Sequence, residues 1–305
     1  MPAEPQLTPQ QQLAHRGFPM LLTPTMADCM RQPQEQDPIY RQFWPSAEEL
    51  QNPPHYTTDP LQEAASSPMP GLVHKYQGRA LLHLTDACPV HCRYCFRRHG
   101  AITSPMDPQA EQQLVDHLAQ DHTLQEIILS GGDPLMLNAP KWHWWMTQLA
   151  QLPHLQRIRI HSRVPVADPS RLTIPMLETL QNTAKSVVLV IHCNHAQELT
   201  PASEVALQAC RQAGFLVLNQ SVLLAGVNDS AEILAKLNLA LVGLGVLPYY
   251  LHLLDTVQGA AHFEVSPQRA MEIMRQLHQC LPGYALPKLV RERPELPGKE
   301  PIHWF

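Results

Sequence analysis

Arg79-Ala80-Leu81-Leu82-His83-Leu84-Thr85-Asp86-Ala87-Cys88-Pro89-Val90-His91-Cys92-Arg93-Tyr94-Cys95-Phe96-Arg97-Arg98 is the stretch on which the fold turns. Its first half is an apolar, β-rich run. Its second half places three cysteines within eight residues, with gaps of three and two, on the loop that follows the strand. Structural zinc sites use four ligands, commonly as two separated pairs, and no second pair exists here, since Cys193, Cys210 and Cys280 stand singly. Thiolates are also the ligands of iron–sulfur clusters, which normally take four. Three on a four-iron cluster leave one iron open to another ligand. Seven cysteines are an odd number for a secreted disulfide framework, and their crowding favours metal binding in a reducing compartment.

Outward from this loop the chain alternates. Further apolar, β-rich runs fall at 126–130, 157–161, 186–192, 215–224 and 246–252, with segments of helical spacing between them. Asp107-Pro108, Thr200-Pro201 and Ser266-Pro267 each pair an N-cap residue with proline at the first helical position. Gly214 falls where the helix from 201 ends. Ile233, Leu234, Leu237 and Leu241 form one apolar stripe, and Ile273, Met274, Leu277 and Leu281 another. Six strand–helix units predict an α/β fold with a parallel sheet, flat or curled into a partial (β/α)6 barrel. In both cases the chemistry belongs at the C-terminal strand ends.

The ends of the chain differ. Residues 1–70 hold 13 of the 30 prolines and a glutamine-rich start, a poor setting for long regular structure, and predict an arm of extended and short helical pieces with a frayed beginning. Residues 71–281 are the repeating unit. Residues 282–305, again rich in proline and glycine, read as a tail. A net charge of −5 without like-charge blocks argues against a nucleic-acid partner or a membrane surface. The absence of a transmembrane-length apolar run and of a signal-like start predicts a cytoplasmic protein.

The cysteine loop resembles that of the radical S-adenosylmethionine (SAM) superfamily. The resemblance implies a 4Fe-4S cluster on Cys88, Cys92 and Cys95, with SAM on the open iron and Tyr94 near its adenine. Ser130-Gly131-Gly132-Asp133 follows the second strand. Alone it is an ordinary βα turn; one strand after such a loop it matches the turn that contacts the SAM amino group. The longer segments His74–Arg79, Cys95–His99, Arg159–Arg163, Asn194-His195, Asn219–Leu224, Pro248–His252 and Pro282–Pro287 are similar to the lysine 2,3-aminomutase family over nearly all of 70–300. The run Val257–Phe263 and the short chain end look closest to its bacterial branch serving elongation factor P.

That resemblance implies conversion of (S)-α-lysine into (R)-β-lysine, an external electron donor, and a partner ligase that attaches the product to the elongation factor. It also implies pyridoxal 5′-phosphate (PLP), whose aldehyde needs a lysine amine. Position relative to the Pro-Gly-Tyr-Ala run puts that lysine at Lys299, with Lys288 as the alternative. Lys75, Tyr76 and Arg79 match the PLP-contacting segment, with Lys75 in place of an arginine. Arg97 matches the clamp for the substrate carboxylate. Asp255 and Glu292 match the carboxylates that hold the distal ammonium, with Glu292 standing for an aspartate. His192 and Gln220 match SAM contacts, with a core histidine as the alternative reading of His192. Two rival readings are a superfamily member that acts on another amino acid or generates a protein radical, and a catalytically silent metal-binding module.

Overall fold

The computed structural model describes residues 7–100, 102–104, 107–296 and 298–304. Nine strands form one sheet in chain order: β1 (Leu72–Tyr76), β2 (Arg79–His83), β3 (Glu126–Ser130), β4 (Arg157–Ser162), β5 (Ser186–His192), β6 (Leu216–Val222), β7 (Leu247–His252), β8 (Lys288–Arg291) and β9 (Glu300–Pro301). Strands β2 to β8 run parallel, and β1 and β9 flank them antiparallel. The first and last strands do not pair, so the sheet stays open.

The six strands expected from sequence are β2 to β7. The helices between them start at the expected caps: Asp107 accepts from Ala110 N–H, Thr200 from Ser203 N–H and Ser266 from Arg269 N–H. One difference lies in the last segment. Residues 288–291, read as part of a tail, add a seventh parallel strand, with Leu251 opposite Leu289. Leu289 and Val290 are buried, and Leu289 packs with Leu277 and Leu281 of the preceding segment. A run of four residues between prolines and charges was too short to show as a strand by periodicity.

Period-two alternation splits the sheet's faces. Leu82, Ile127, Leu129, Ile158, Ile160, Leu189 and Ile191 pack outward into one core with helix residues such as Leu114, Trp142 and Leu207. The opposite positions, Leu81, Ile128, Arg159, His161, His192, Gln220 and Tyr250, all line one cavity. A single cavity lined from six successive strands means that the sheet curls around it as a partial barrel.

The arm is built of short capped helices, Pro9–Gly17, Pro24–Asp28 and Pro38–Phe43, with Thr8, Thr23 and Asp37 as caps. The first of these begins at Pro9, and the frayed beginning expected from sequence falls on residues 1–6, outside the described residues. The arm is tied to the cysteine loop. Arg93 N–H donates to Gln42 C=O at 2.9 Å. Glu49 accepts from Arg93 and Arg98, each at 2.6 Å, with all three side chains at most 5% exposed.

Candidate active site

The cavity at the C-terminal strand ends has a volume of about 410 Å³. The cysteine loop enters it directly from β2. The β3 turn is sewn to that loop: Gly132 N–H donates to Thr85 C=O at 3.0 Å, and Asp133 N–H to Ala87 C=O at 2.8 Å. Glycine is required at both turn positions. Gly131 has φ +110°, and a Cβ on Gly132 would lie 2.4 Å from Thr85 O and 2.7 Å from Ala87 O.

Cys88, Cys92 and Cys95 all line the cavity. No three His, Cys, Asp or Glu side chains among the described residues converge as one metal ion would require. A multi-iron cluster takes one thiolate per iron, so its ligands stand further apart. Burial pushes the Cys88 thiol far above its usual range and the Cys95 thiol to about 11. Backbone N–H groups of Asp133 and Arg97 face those two sulfurs. Half-buried thiols with backbone amide donors suit an iron–sulfur cluster.

Several residues that the resemblance assigns to SAM serve the scaffold as well. Asp133 lines the cavity, but its carboxylate accepts from Ser162 Oγ (2.8 Å), Arg163 N–H (2.7 Å), Val164 N–H (3.1 Å) and Leu135 N–H (3.1 Å). Its burial raises its pKa despite these donors. Ser130, Gly131 and Gly132 line the cavity beside it. The Tyr94 hydroxyl meets His192 Nε2 at 2.9 Å and accepts from Asn194 Nδ2 at 2.7 Å, and its ring stacks on His192 at 5.7 Å. Gln220 lies beside His192 in register on the next strand. Burial holds His161, His192 and His252 well below the ordinary histidine range, so this wall is neutral. His161 Nε2 is buried and has no partner.

The other side carries the charges. Lys299 reaches the cavity from just before β9, while Lys288 is exposed and does not line it. Lys299 Nζ donates to Glu292 Oε2 at 2.7 Å, and Lys75 Nζ to Glu292 Oε1 at 3.1 Å and to Arg293 C=O at 2.8 Å. Tyr76 OH also donates to Glu292 Oε1. Burial acts to raise the Glu292 pKa, but the Lys299 ammonium and these donors outweigh it and hold it below the usual range. Glu292 is therefore taken up by three donors in this state. Asp255 is different: it lines the cavity, and its carboxylate makes no hydrogen bond or ion pair among the described residues. The Arg79 guanidinium lies 4.5 Å over the Tyr76 ring and makes no hydrogen bond or ion pair among the described residues. A cation with unspent donors beside an amine suits a phosphorylated aldehyde.

Arg97 brings out a residue that sequence reading missed. Its Nε and Nη2 donate to both oxygens of Glu63 from the arm, at 2.7 and 2.6 Å, and its Nη1 to Ser130 Oγ at 3.2 Å. Glu63 is 8% exposed. It lies in a proline-flanked stretch with no periodicity, so nothing local marked it. The fork on Nε and Nη2 leaves the Nη1–Nη2 edge as the one available to a further carboxylate.

Residues 76–156 match the family model described as a 4Fe-4S single cluster domain. The chain is similar to three proteins named L-lysine 2,3-aminomutase. It is 43% identical to that of Escherichia coli K12, over 95% of this chain and 84% of the relative. It is 40% identical to that of Haemophilus influenzae, over 94% and 85%. It is 36% identical to that of Acetoanaerobium sticklandii, over 93% and 69%.

Proposed function

Because the chain belongs to the lysine 2,3-aminomutase family, a family of isomerases, we propose that it converts (S)-α-lysine into (R)-β-lysine, with SAM on a cluster held by Cys88, Cys92 and Cys95 and PLP on Lys299. The observation that carries this reading is one cavity shared by three half-buried thiols, the Lys299 amine, the Arg79 guanidinium, the Arg97 fork and the Asp255 carboxylate, which is unpaired among the described residues. When bound, the cofactors supply a radical that takes a hydrogen atom from C3 and a π-system through which nitrogen crosses from C2 to C3.

The chain's own residues position and enclose. Arg97, fixed by Glu63, offers a planar edge to the α-carboxylate. Asp255 offers the one uncommitted carboxylate to the distal ammonium. Glu292 holds the Lys299 amine at 2.7 Å, and Lys299 would be the residue that holds the PLP aldehyde. Lys75 and Tyr76 fix Glu292, which leaves Arg79 as the phosphate cation. Leu61, Glu63 and Ser66 of the arm and Glu292 and Lys299 of the last segment cover the mouth against water. We further propose a cytoplasmic setting, an external electron donor, and a ligase that transfers the product to elongation factor P. The run Val257–Phe263 supports that last step.

One observation favours a broader substrate range: among the described residues only Asp255 is free in this state to read an ammonium. A substrate panel separates the readings. A lost charged hydrogen bond costs roughly 1.5–3 kcal/mol, so Asp255→Asn should lower kcat/KM for L-lysine about ten- to hundredfold at ~1.4 kcal/mol per decade. SAM binding and the PLP absorption band should stay near normal, and norleucine should lose little further. Unchanged preference for lysine over norleucine in Asp255→Asn would remove the ammonium site.

A further inference from the structure

We propose that Arg163 is a positioning residue that holds the Cys92 sulfur through a charged hydrogen bond and raises the reduction potential of the cluster bound there. The inference rests on the assignment of the cluster to the cysteine loop.

Arg163 opens the segment after β4, and its own N–H is fixed by the Asp133 carboxylate at 2.7 Å. Its Nη1 donates to Cys92 Sγ at 3.1 Å and also to the Tyr94 hydroxyl. Its Nη2 donates to Glu198 Oε2 at 2.6 Å and to Gln42 Oε1 at 3.0 Å. The Phe43 ring lies 4.6 Å from the guanidinium. Glu198 is fully buried and itself fixed, since its Oε1 accepts from Asn194 N–H and His195 N–H at 2.9 Å and from Gln42 Nε2 at 3.1 Å. The guanidinium thus meets a carboxylate, an amide, a phenol and an aromatic face, and its remaining direction is the sulfur. Its buried Nε has no partner, a cost expected when a group is held in place for its other contacts.

Cys88 and Cys95 face backbone amides, whereas Cys92 alone among the described residues receives a side-chain donor, and that donor carries full charge. Charge and hydrogen bonds at the sulfurs are among the determinants of cluster potential. Reduction adds one electron, delivered by the external donor, and makes the cluster more negative. A fixed cation at one sulfur stabilises that state over the oxidised one, in a buried setting where screening is weak. The guanidinium makes and breaks no covalent bond. Because Arg163 also touches Tyr94 and, through Gln42, the arm helix Pro38–Phe43, the covering arm and the cluster ligand share one buried network.

Deleting the arginine alone would strand the Glu198 charge, so the test uses Arg163→Met/Glu198→Gln, which removes both, and Arg163→Lys, which keeps the charge without the fork. Parent and variants are reconstituted anaerobically with iron and sulfide. Iron content, midpoint potential from a redox titration followed by electron paramagnetic resonance, and the apo thermal midpoint are measured. The double variant should show a more negative midpoint potential than the parent, with Arg163→Lys between them. Loss of iron from a double variant whose apo fold is intact also supports the hold on Cys92. If the double variant does not fold, Arg163→Lys decides alone, and a midpoint potential more negative than the parent's is then the supporting result. Potentials and iron content equal to the parent's, with only thermal stability lowered, would show a purely structural arginine. A parent that binds no cluster would instead overturn the cysteine-loop assignment.

Discussion

Asp255 is the residue whose behaviour depends most on pH. Burial pushes its carboxyl up to about 7, with the Lys299 ammonium opposing and Glu292 and Glu63 adding to the rise. An ammonium needs the ionised form, so kcat/KM for lysine should rise as pH increases through about 7 and then level, because this parameter reports the free enzyme. Asp255→Asn should lose that limb. The same shift has a sign for stability. Between the ordinary carboxylate value of 3.8 and about 7 the folded state holds a proton that the unfolded state has lost. Stability should therefore fall as pH rises through this window, and Asp255→Asn should flatten that fall. Glu63 offers a second check. If it fixes Arg97 for the substrate carboxylate, Glu63→Gln should raise KM for lysine about tenfold, for roughly 1.5 kcal/mol of lost charged bonding, with kcat little changed. A lower KM would mean that Glu63 competes with substrate. Legibility at this scale was uneven. The cysteines, Lys299 and Asp255 could be found from spacing and resemblance, and the structure gathers them in one cavity. The engagement of Glu292 with three donors could not, because it depends on Lys75 and Tyr76, over 200 residues away.

The elements hold these residues in place by short, specific contacts. The turn after β3 is the clearest case, because Gly132 lies against the backbone that leads into Cys88. Backbone cannot yield as a flexible side chain can, so Gly132→Ala should cost roughly 1–3 kcal/mol. Iron content after anaerobic reconstitution should fall with it, and a fully loaded Gly132→Ala protein would show that the turn does not set the loop. Strand β8 positions the side of the cavity proposed for PLP. It places Arg291 at the cavity end of the sheet, so that Glu292 follows directly into the mouth, and the turn to β9 returns the chain at Lys299. Borohydride reduction of the PLP-loaded protein followed by peptide mapping should therefore locate the pyridoxyl group on Lys299. Recovery on Lys288 would contradict this geometry. The six central strands and their helix starts were legible because period-two runs and Asp/Thr/Ser-Pro caps are local signals. Strands β8 and β9 were not, because they are short and owe their pairing to the neighbouring sheet, and β1 was not, because His74-Lys75 interrupts its apolar run.

At the scale of the molecule, the arm, the open barrel and the last segment close around one cavity. The arm's hold on the cysteine loop rests on Glu49 with Arg93 and Arg98, a buried charge cluster that no local pattern in a proline-rich stretch reveals. Removing one partner of such a pair typically costs about 3–5 kcal/mol, so Glu49→Leu, which strands two buried guanidinium groups, should lower the apo thermal midpoint and the cluster content together. The partial-barrel architecture itself was readable, since strand–helix alternation and the position of the cysteine loop are features of chain order. The central claim is that this cavity runs a lysine 2,3-amino shift. The most direct measurement is anaerobic reconstitution with iron, sulfide and PLP, reduction in the presence of SAM and L-lysine, and chiral analysis of the amino-acid products. The account predicts (R)-β-lysine, formed only when SAM, PLP and reductant are all present and absent from a Cys92→Ala protein. Cleavage of SAM by the fully loaded protein without any β-lysine would contradict it.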